Sequence, residues 1–279
     1  MKKERLVVLI GPTAVGKTAL SLALARRLDA EIISGDSMLF YRSFDIGTAK
    51  PTKEELSAVP HHFIDILAPE ASFNVMDFQR LAREEIGRIA ARGKLPLVVG
   101  GTGLYIKSLL EGYVFNETSG DRAYREKLER LAQEKGKAFV HGLLQEADPE
   151  AAARLHVNDF RRVVRALEVA SLGNEHISEQ REAAGGELAY DAYVIGLRRE
   201  RQALYARIEE RVDAMLEAGL ADEVRSLLAE GVPRDCPAMK GIGYREMLAY
   251  LAGSMDLPLA AAEIKKATRH FAKRQLTWF

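Results

Sequence analysis

The sequence predicts an α/β protein: a P-loop NTPase-like core with a mainly parallel sheet flanked by helices, plus a small helical insertion domain. Three observations lead to this prediction. The eight residues GPTAVGKT, Gly11 to Thr18, match the pattern G-x-x-x-x-G-K-[ST] and lie between an apolar run and a helical pattern. Strand and helix patterns alternate through the first third of the chain, as in parallel sheets. Beyond about Val114 the sequence becomes charged and mainly helical.

The core elements are predicted in chain order from their hydrophobic patterns. Residues 6–10 form a continuous apolar run typical of a buried strand, and residues 19–28 carry apolar side chains at helical spacing. A short strand is expected around residues 31–34, followed by an apolar stretch at 62–67. Later elements are a helix at about 75–92, a strand at 95–99, a helix opened by residues 100–103, a strand at 189–197 and helices to the end.

The change of pattern near residue 114 predicts how the domains are arranged. Residues 116–120, NETSG, are typical of a turn-rich linker. The predicted catalytic core comprises residues 1–115 and 160–279, and the predicted helical insertion comprises residues 116–159. The core is therefore expected to be interrupted once.

Composition excludes several classes of protein. The chain has 279 residues, 47% hydrophobic, which is enough for a large core. The one cysteine, Cys236, excludes a disulfide framework and a multi-cysteine zinc site. No apolar run approaches 18 residues, and the first residues lead into a strand rather than a signal peptide. We expect a soluble, cytoplasmic protein, without a membrane partner, that acts as a monomer.

Charge is unevenly distributed although the formal net charge is +0. Residues 264–279 contain five Lys or Arg residues and His270, without Asp or Glu. A second basic cluster at residues 154–165 is relieved only by Asp159. A solvated helix face explains either cluster alone. Two clusters beside a phosphate site favour a nucleic-acid ligand.

The residues from Gly11 to Thr18 predict a phosphate cradle. Backbone N–H groups of the loop and the helix N-terminus bind phosphate oxygens, Lys17 reaches the terminal phosphates, and the Thr18 hydroxyl ligates Mg²⁺. The pattern does not identify the molecule that carries the phosphates. The strand at 95–99 runs into Gly100 and Gly101 rather than an Asp, which disfavours a motor-type ATPase. The predicted cradle residues are Gly11, Pro12, Thr13, Ala14, Val15, Gly16, Lys17 and Thr18.

Asp36 lies just past the carboxyl end of the short strand at 31–34. Ligands of open α/β sheets bind at this edge, so Asp36 is placed as a general base or a metal contact. A turn or helix cap is an equally good explanation from sequence alone.

Six segments, in this order, resemble the tRNA isopentenyltransferase family, the bacterial tRNA dimethylallyltransferases. They are GPTAVGKT, ISGDSMLFYRSFDIGTAKP, HHFIDIL, VVGGTGLYIKSLLEG, NDFRRVVRALEV and TRHFAKRQLTWF. The resemblance implies transfer of a dimethylallyl group from dimethylallyl pyrophosphate to N6 of adenosine 37 in the anticodon loop of tRNA. It also implies that the cradle holds the donor pyrophosphate, with Mg²⁺.

The resemblance further implies roles for single residues. Asp36 would be the base that takes the N6 proton, and Lys17 and Arg211 would lie at the pyrophosphate. Thr13 would orient the donor or Asp36, and Thr102 would contact the target nucleotide. The segments implied to bind tRNA are Asp36, Ser37, Met38, Leu39, Thr102, Arg125, Arg161, Arg162, Val163, Val164, Arg165, Lys240, Gly241, Ile242, Gly243, Tyr244, Lys273 and Arg274. Within them, Val163 and Val164 are expected mainly to pack.

Other functions stay open at this point. An isopentenyltransferase acting on free adenine nucleotides shares the chemistry but has no use for the two basic clusters. A small-molecule P-loop kinase accounts for Lys17 and Thr18 but not for Asp36. A non-catalytic RNA-binding protein with a relic P-loop is disfavoured because all three residues are present.

Overall fold

The computed structural model describes residues 3–113, 115, 121–171 and 187–278. These residues form two compact units: Met1–Leu110 with Leu188–Phe279, and Glu111–Glu187. The linker predicted at 116–120 lies outside the described residues. Within the described ranges, every helix is too short or too polar to span a bilayer.

The first unit is built on a five-stranded sheet in the order β3-β2-β4-β1-β5. Every pairing in it is parallel, and Val8 of β1 lies opposite Val98 of β4 on one side and Val194 of β5 on the other. The predicted α/β class is therefore confirmed. The strands are β1 Arg5–Ile10, β2 Ala30–Ser34, β3 His61–His62, β4 Leu95–Gly100 and β5 Asp191–Gly196.

The helices follow the predicted alternation closely in the first third of the chain. They are α1 Lys17–Leu28, α2 Lys53–Ala58, α3 Val75–Ala91, α4 Gly103–Leu110, α5 Arg122–Lys135, α6 Lys137–Ala147, α7 Pro149–Arg154, α8 Phe160–Ser171, α9 Arg201–Glu217, α10 Leu220–Ala229, α11 Tyr244–Leu251 and α12 Leu257–Trp278. A short 3₁₀ turn at Ala238–Lys240 precedes α11.

Helices cover both faces of the sheet. Successive residues of a strand point to opposite faces, so each strand contributes side chains to the core on both sides. Leu6 and Val8 pack with Phe78 and Ile86 of α3 on one face. Leu9 packs on the other face, in the cluster that contains Ala25 of α1. Burial on both faces explains why these strands are continuous apolar runs rather than alternating ones.

A second apolar core joins the loop after β2 to the C-terminal helices. Phe44 of this loop packs with Val224 of α10, Tyr244 and Met247 of α11, and Ile264 of α12. The centroids of the Phe44 and Tyr244 rings are 4.7 Å apart. The loop beyond the carboxyl end of β2 is therefore held by helices far away in sequence.

The apolar stretch at 62–67 contributes little strand structure. Only His61–His62 pairs with β2, and Phe63 then turns the chain with a φ of 67°. His62 Nε2 lies 2.7 Å from Glu31 Oε2, and its Nδ1 lies 3.3 Å from Glu85 Oε1. Burial disfavours ionisation of Glu31, but hydrogen bonds from Arg92 and His62 outweigh it and lower the pKa of this carboxyl. This cluster ties the edge strand to α3.

The second unit is helical and has its own core. Val163 and Leu167 of α8 pack with Leu128 of α5 and with Val140 and Leu144 of α6. The unit runs from Glu111 to Glu187, so it includes α8, whereas the sequence-based boundary ended the insertion at residue 159. The difference arises because the apolar face of α8 packs against the apolar faces of α5 and α6 and so completes the core of this unit.

Candidate active site

The loop predicted to bind phosphate connects the carboxyl end of β1 to α1. Gly11 has a φ of 152°, and a Cβ there would lie 2.8 Å from the carbonyl oxygen of Leu197, so only glycine fits. Gly16, with a φ of 108°, caps α1. Lys17 Nζ donates to the carbonyl oxygens of Gly11 at 2.8 Å and Pro12 at 2.9 Å. The ammonium is therefore folded back over the loop.

Charges of both signs converge beside this loop. Burial lowers the pKa of Lys17 to about 8, the Asp36 carboxylate opposes this shift, and the Arg211 guanidinium adds to it. Burial also lowers the pKa of Arg211, again opposed by Asp36. Arg211 donates to the carbonyl oxygen of Thr48 at 3.3 Å. Two partly desolvated cations thus share one carboxylate, an arrangement that an anionic ligand would stabilise.

Asp36 lies in a tight turn at the carboxyl end of β2. Its Oδ1 accepts a hydrogen bond from the Met38 backbone N–H at 2.9 Å, and its own N–H donates to Ser34 Oγ at 3.3 Å. The Ser37 N–H donates to Thr102 Oγ1 at 3.3 Å. Among the described residues, nothing donates a hydrogen bond to Asp36 Oδ2. The turn therefore fixes the carboxylate and leaves one oxygen available to accept a proton.

Two cavities of the first unit meet at this turn. The first, which we call the donor cavity after the donor that the resemblance implies, is about 550 Å³ and is lined by residues 13–19 of the loop and α1. The second, which we call the acceptor cavity after the implied target nucleotide, is about 290 Å³ and lies between the turn after Asp36 and helices α9 and α12. Both are lined by Thr13, Asp36, Thr48 and Arg211.

The two cavities differ in chemistry. The donor cavity presents the amides of the loop, Lys17 and Arg211, which suit phosphate oxygens. The acceptor cavity combines apolar side chains with the cations Lys240 and Arg274 at its wall, a set that suits an aromatic base carrying a phosphate. Its apolar lining consists of Met38, Val212, Met215, Ile242, Ile264 and Phe271.

The structure brings many of the sequence-predicted residues together. Ser37, Met38 and residues 240–243 line the acceptor cavity with Arg274, whereas Leu39 lines the donor cavity. Thr102 lies behind the Asp36 turn through its bond to Ser37. Lys273 is exposed on α12 and lines neither cavity.

Tyr244 is placed differently from the prediction that it contacts tRNA. Its side chain is fully buried, and its hydroxyl donates to Glu223 Oε1 at 2.7 Å. Burial, with the nearby Glu223 carboxylate, raises the pKa of this phenol. Its ring carbons would lie 2.6 Å from a Cβ at Gly47, so it packs directly beneath the Gly47 backbone. Its role is to support the loop that lines both cavities.

Glu223 of α10 is a site residue that sequence reasoning missed. Its carboxylate accepts from the backbone N–H groups of Asp45 at 3.1 Å, Ile46 at 2.7 Å and Gly47 at 3.3 Å. These bonds hold the loop that carries Thr48. In the sequence, Glu223 is one more acidic residue of a charged helix, so no local signal distinguishes it.

Residues of the second unit predicted to bind tRNA fall into three groups. Arg161 and Arg162 are exposed, whereas Val163 and Val164 are buried in the core of that unit, so the two valines pack rather than contact a ligand. Arg125 Nε lies 2.7 Å from Glu168 Oε1, and Arg165 NH1 lies 2.6 Å from Glu168 Oε2. Both arginines therefore neutralise the same buried carboxylate.

Acid should destabilise the second unit through Glu168. Burial opposes ionisation of Glu168, but hydrogen bonds from Arg125 and Arg165 prevail and lower its pKa. A depressed folded pKa gives a contribution that is present above the unfolded value and lost as pH falls through the folded one. The protection factors of α5 and α8 amides, which correct the exchange rates for the intrinsic effect of pH, should fall on acidification in the wild type and depend less on pH in Glu168→Gln. Glu150→Gln, at an exposed ion pair with Arg154, is the control and should behave as the wild type.

Fold and site together define an α/β enzyme in which the glycine-rich loop predicted to bind phosphate lies beside an apolar cavity. The IPP transferase family model matches residues 39–279, and the isopentenyl transferase model matches residues 4–71. The chain belongs to the IPP transferase family. The resemblance noted from the sequence is thereby confirmed.

Individual relatives agree with this assignment. The tRNA dimethylallyltransferase of Bacillus cytotoxicus is 53% identical over 278 residues, covering 100% of this chain and 88% of that protein. The crystal structure of the full-length tRNA isopentenylpyrophosphate transferase from Bacillus halodurans is 47% identical, with a TM-score of 0.73, and the match covers 99% of this chain and 87% of that one. A eukaryotic dimethylallyltransferase acting on tRNA is 30% identical, with a TM-score of 0.84 and coverage of 99% and 69%.

Proposed function

We propose that the protein transfers a dimethylallyl group from dimethylallyl pyrophosphate to N6 of adenosine 37 in the anticodon loop of tRNA, releasing diphosphate. The observation that carries the proposal is the meeting of a phosphate-type cavity and an apolar, basic-walled cavity at Asp36 and Arg211. The names of the relatives, which are tRNA dimethylallyl- or isopentenylpyrophosphate transferases, support it.

In this reaction the leaving group carries the negative charge. As the bond between C1 of the prenyl group and the pyrophosphate oxygen breaks, the electron pair goes to pyrophosphate. The loop amides, Lys17 and Arg211 face that position and stabilise the developing charge electrostatically. The amides are fixed by the loop, so their share of this stabilisation needs little reorganisation, whereas Lys17 must turn from the carbonyl oxygens of Gly11 and Pro12 toward the pyrophosphate.

The acceptor nitrogen must lose a proton during the reaction. The lone pair of an adenine N6 is delocalised into the ring, so the amine is a poor nucleophile unless its proton is removed as the C–N bond forms. Asp36 lines both cavities and has an oxygen available, so we assign it as the general base. The adenosine must leave the anticodon stack to enter the acceptor cavity, where Met38, Ile242 and Phe271 offer apolar contact.

The residues present fit a magnesium ion that arrives with the donor. Thr18 lines the donor cavity with an exposed side chain. Among the residues that the structure describes, no three His, Cys, Asp or Glu side chains are grouped to hold a metal. One hydroxyl ligand, completed by phosphate oxygens and water, is the set that Mg²⁺ commonly takes at phosphates. When bound, the ion supplies further neutralisation of the leaving group.

The assay that tests the function compares acceptors. The chain is incubated with Mg²⁺, radiolabelled dimethylallyl pyrophosphate and an unmodified anticodon stem-loop, and nucleosides are analysed. Label is expected in N6-(dimethylallyl)adenosine from the stem-loop and none from the same RNA with guanosine at position 37. Label on free AMP would move the protein to the nucleotide-modifying class. Phosphate transfer from ATP to a small hydroxyl acceptor, without prenyl transfer, would replace the proposal by a kinase.

The basic surface of α12 should contribute to tRNA affinity. Replacing Lys273 and Arg274 together by Ala is expected to weaken stem-loop binding. The plot of log K against log salt concentration should also become less steep, by about 2 in slope, because two phosphate contacts are lost. The measurement is a stem-loop titration at several salt concentrations. Arg26→Ala with Arg27→Ala, an exposed pair in α1, is the matched control. An unchanged slope for the α12 variant would remove both residues from the interface.

We also propose that the enzyme acts as a monomer in the cytoplasm. Both cavities are lined by one chain, so the chemistry needs no second copy and a monomer suffices. Because tRNA is the substrate, the cytoplasm is the compartment in which we place the enzyme.

A further inference from the structure

Gln275, near the end of α12, is a buried polar residue that the mechanism above does not use. Only 4% of its surface is exposed. Its Oε1 accepts from the Thr13 backbone N–H at 2.8 Å, and its Nε2 donates to the Gly101 carbonyl oxygen at 3.0 Å. A Cβ on Gly101 would lie 2.1 Å from that Nε2, so the glycine lets the amide approach this closely. The side chain therefore joins two loops through a pair of buried hydrogen bonds, one accepted by its oxygen and one donated by its nitrogen.

The two loops joined by Gln275 belong to opposite sides of the reaction. Thr13 is part of the phosphate cradle. Gly101 immediately precedes Thr102, whose Oγ1 accepts from the Ser37 N–H beside Asp36. One amide thus connects the donor cradle to the turn that holds the general base.

Only a primary amide of this length satisfies both loops. The Thr13 N–H requires an acceptor, and the Gly101 carbonyl requires a donor. A carboxylate accepts but does not donate, and a thioether at most accepts weakly. Since both backbone groups meet Gln275 at a buried position, losing one bond leaves a desolvated polar group without a partner.

The geometry points to Gln275 as a positioning residue that sets the spacing between the donor cradle and Asp36. Gln275 also lines the donor cavity, but both of its hydrogen bonds are to backbone groups, so we infer that it acts through the two loops rather than on a reacting atom. Bond formation between N6 and the prenyl carbon needs a separation near 3–3.5 Å, and a misplacement of about 1 Å can cost roughly 10²-fold in rate. The inference deepens the proposed function and rests on it for the identity of the reaction.

Kinetics of Gln275→Met and Gln275→Glu test this role. With donor and stem-loop both saturating, the single-turnover rate of each variant is expected to fall by about 10–100-fold, with stem-loop affinity within about 2-fold of wild type. Gln275→Glu keeps the acceptor for Thr13 but cannot donate to Gly101. A wild-type rate in Gln275→Glu would show that the link to Gly101 is not needed and would overturn the inference.

Gln79→Met is the matched control for lost buried hydrogen bonding. Gln79 of α3 is 6% exposed, and its Nε2 donates to the Ser108 carbonyl oxygen at 2.7 Å, away from both cavities. This variant is expected to lower the melting temperature while keeping the wild-type rate. Equal rate losses in Gln79→Met and Gln275→Met would assign the effect to general destabilisation and overturn the positioning role.

Hydrogen exchange separates this inference from the proposed function. In Gln275→Met, exchange should accelerate together in residues 11–16 and in residues 34–38, relative to wild type, with no substrate present. Acceleration confined to residues 11–16 would overturn the coupling, whether or not the wild type transfers a prenyl group. A wild type that prenylates no RNA, with both loops coupled in exchange, would overturn the proposed reaction and leave the structural link supported.

Discussion

Replacing Asp36 by Asn is expected to lower the single-turnover rate of dimethylallyl transfer by about 10²–10⁴-fold, the usual contribution of a positioned general base. Asn keeps an Oδ1 that accepts the Met38 N–H, so the turn after β2 should persist. What is lost is the oxygen that takes the N6 proton. Stem-loop affinity should therefore stay close to the wild-type value, as measured by titration in the absence of donor.

Asp45→Asn is the control for Asp36→Asn. Asp45 is an exposed carboxylate in the neighbouring loop, paired with Lys50 at 2.5 Å, and it lines neither cavity. Its replacement should leave the rate nearly unchanged. If Asp36→Asn transfers the prenyl group at the wild-type rate, another group must accept the proton and Asp36 becomes a structural cap.

Replacing Lys17 by Ala is expected to weaken binding of dimethylallyl pyrophosphate by about 10–100-fold, since a hydrogen bond to a charged group contributes about 1.5–3 kcal/mol. Calorimetric titration of the donor in the absence of RNA measures the loss directly. Stem-loop binding should be unaffected because Lys17 lines only the donor cavity. An unaltered donor affinity would contradict the assignment of the loop as the pyrophosphate cradle.

Lys17 also predicts how donor affinity depends on pH. Its pKa is lowered to about 8, chiefly by burial. Above that value the Lys17 side chain is a neutral amine before the donor binds, while the anionic pyrophosphate binds best to the protonated form. Donor affinity should therefore fall as pH rises through about 8, and this fall should be absent in Lys17→Ala. Lys94→Ala, at the opposite end of β4 beside Asp29, should retain the wild-type profile.

The parts of the fold that were predicted correctly depend on local pattern. The run at 6–10, the loop from Gly11 to Thr18 and the helix after it lie within one strand–loop–helix unit, and β1 and α1 match that prediction. Asp36 could be placed because the carboxyl ends of parallel strands share one edge of a sheet. Of the apolar stretch at 62–67, only His62 lies in a strand, the two-residue β3, since Phe63 and Asp65 adopt positive φ values.

Charge patterns were a weaker guide because they do not show which charges meet. Arg125 and Arg165 are 40 positions apart in number, yet both neutralise Glu168, so two residues assigned to RNA have a partner within the protein. Val163 and Val164 lie in the same basic segment but complete a core. The basic cluster at 154–165 therefore combines exposed charge with structural ion pairs and packing.

The sequence by itself determined the class of the core, the loop predicted to bind phosphate, the acidic residue at the end of β2 and the family. Each of these can be recognised from short segments of residues that are contiguous in the sequence. Tertiary structure alone decided the supports of the site. Gln275 reaches Thr13 across 262 positions, and Glu223 reaches Ile46 across 177. Such contacts depend on how the C-terminal helices pack against the sheet and the loop after β2. The hydrophobic pattern of a helix shows which of its faces is buried, but it does not show which residues that face contacts.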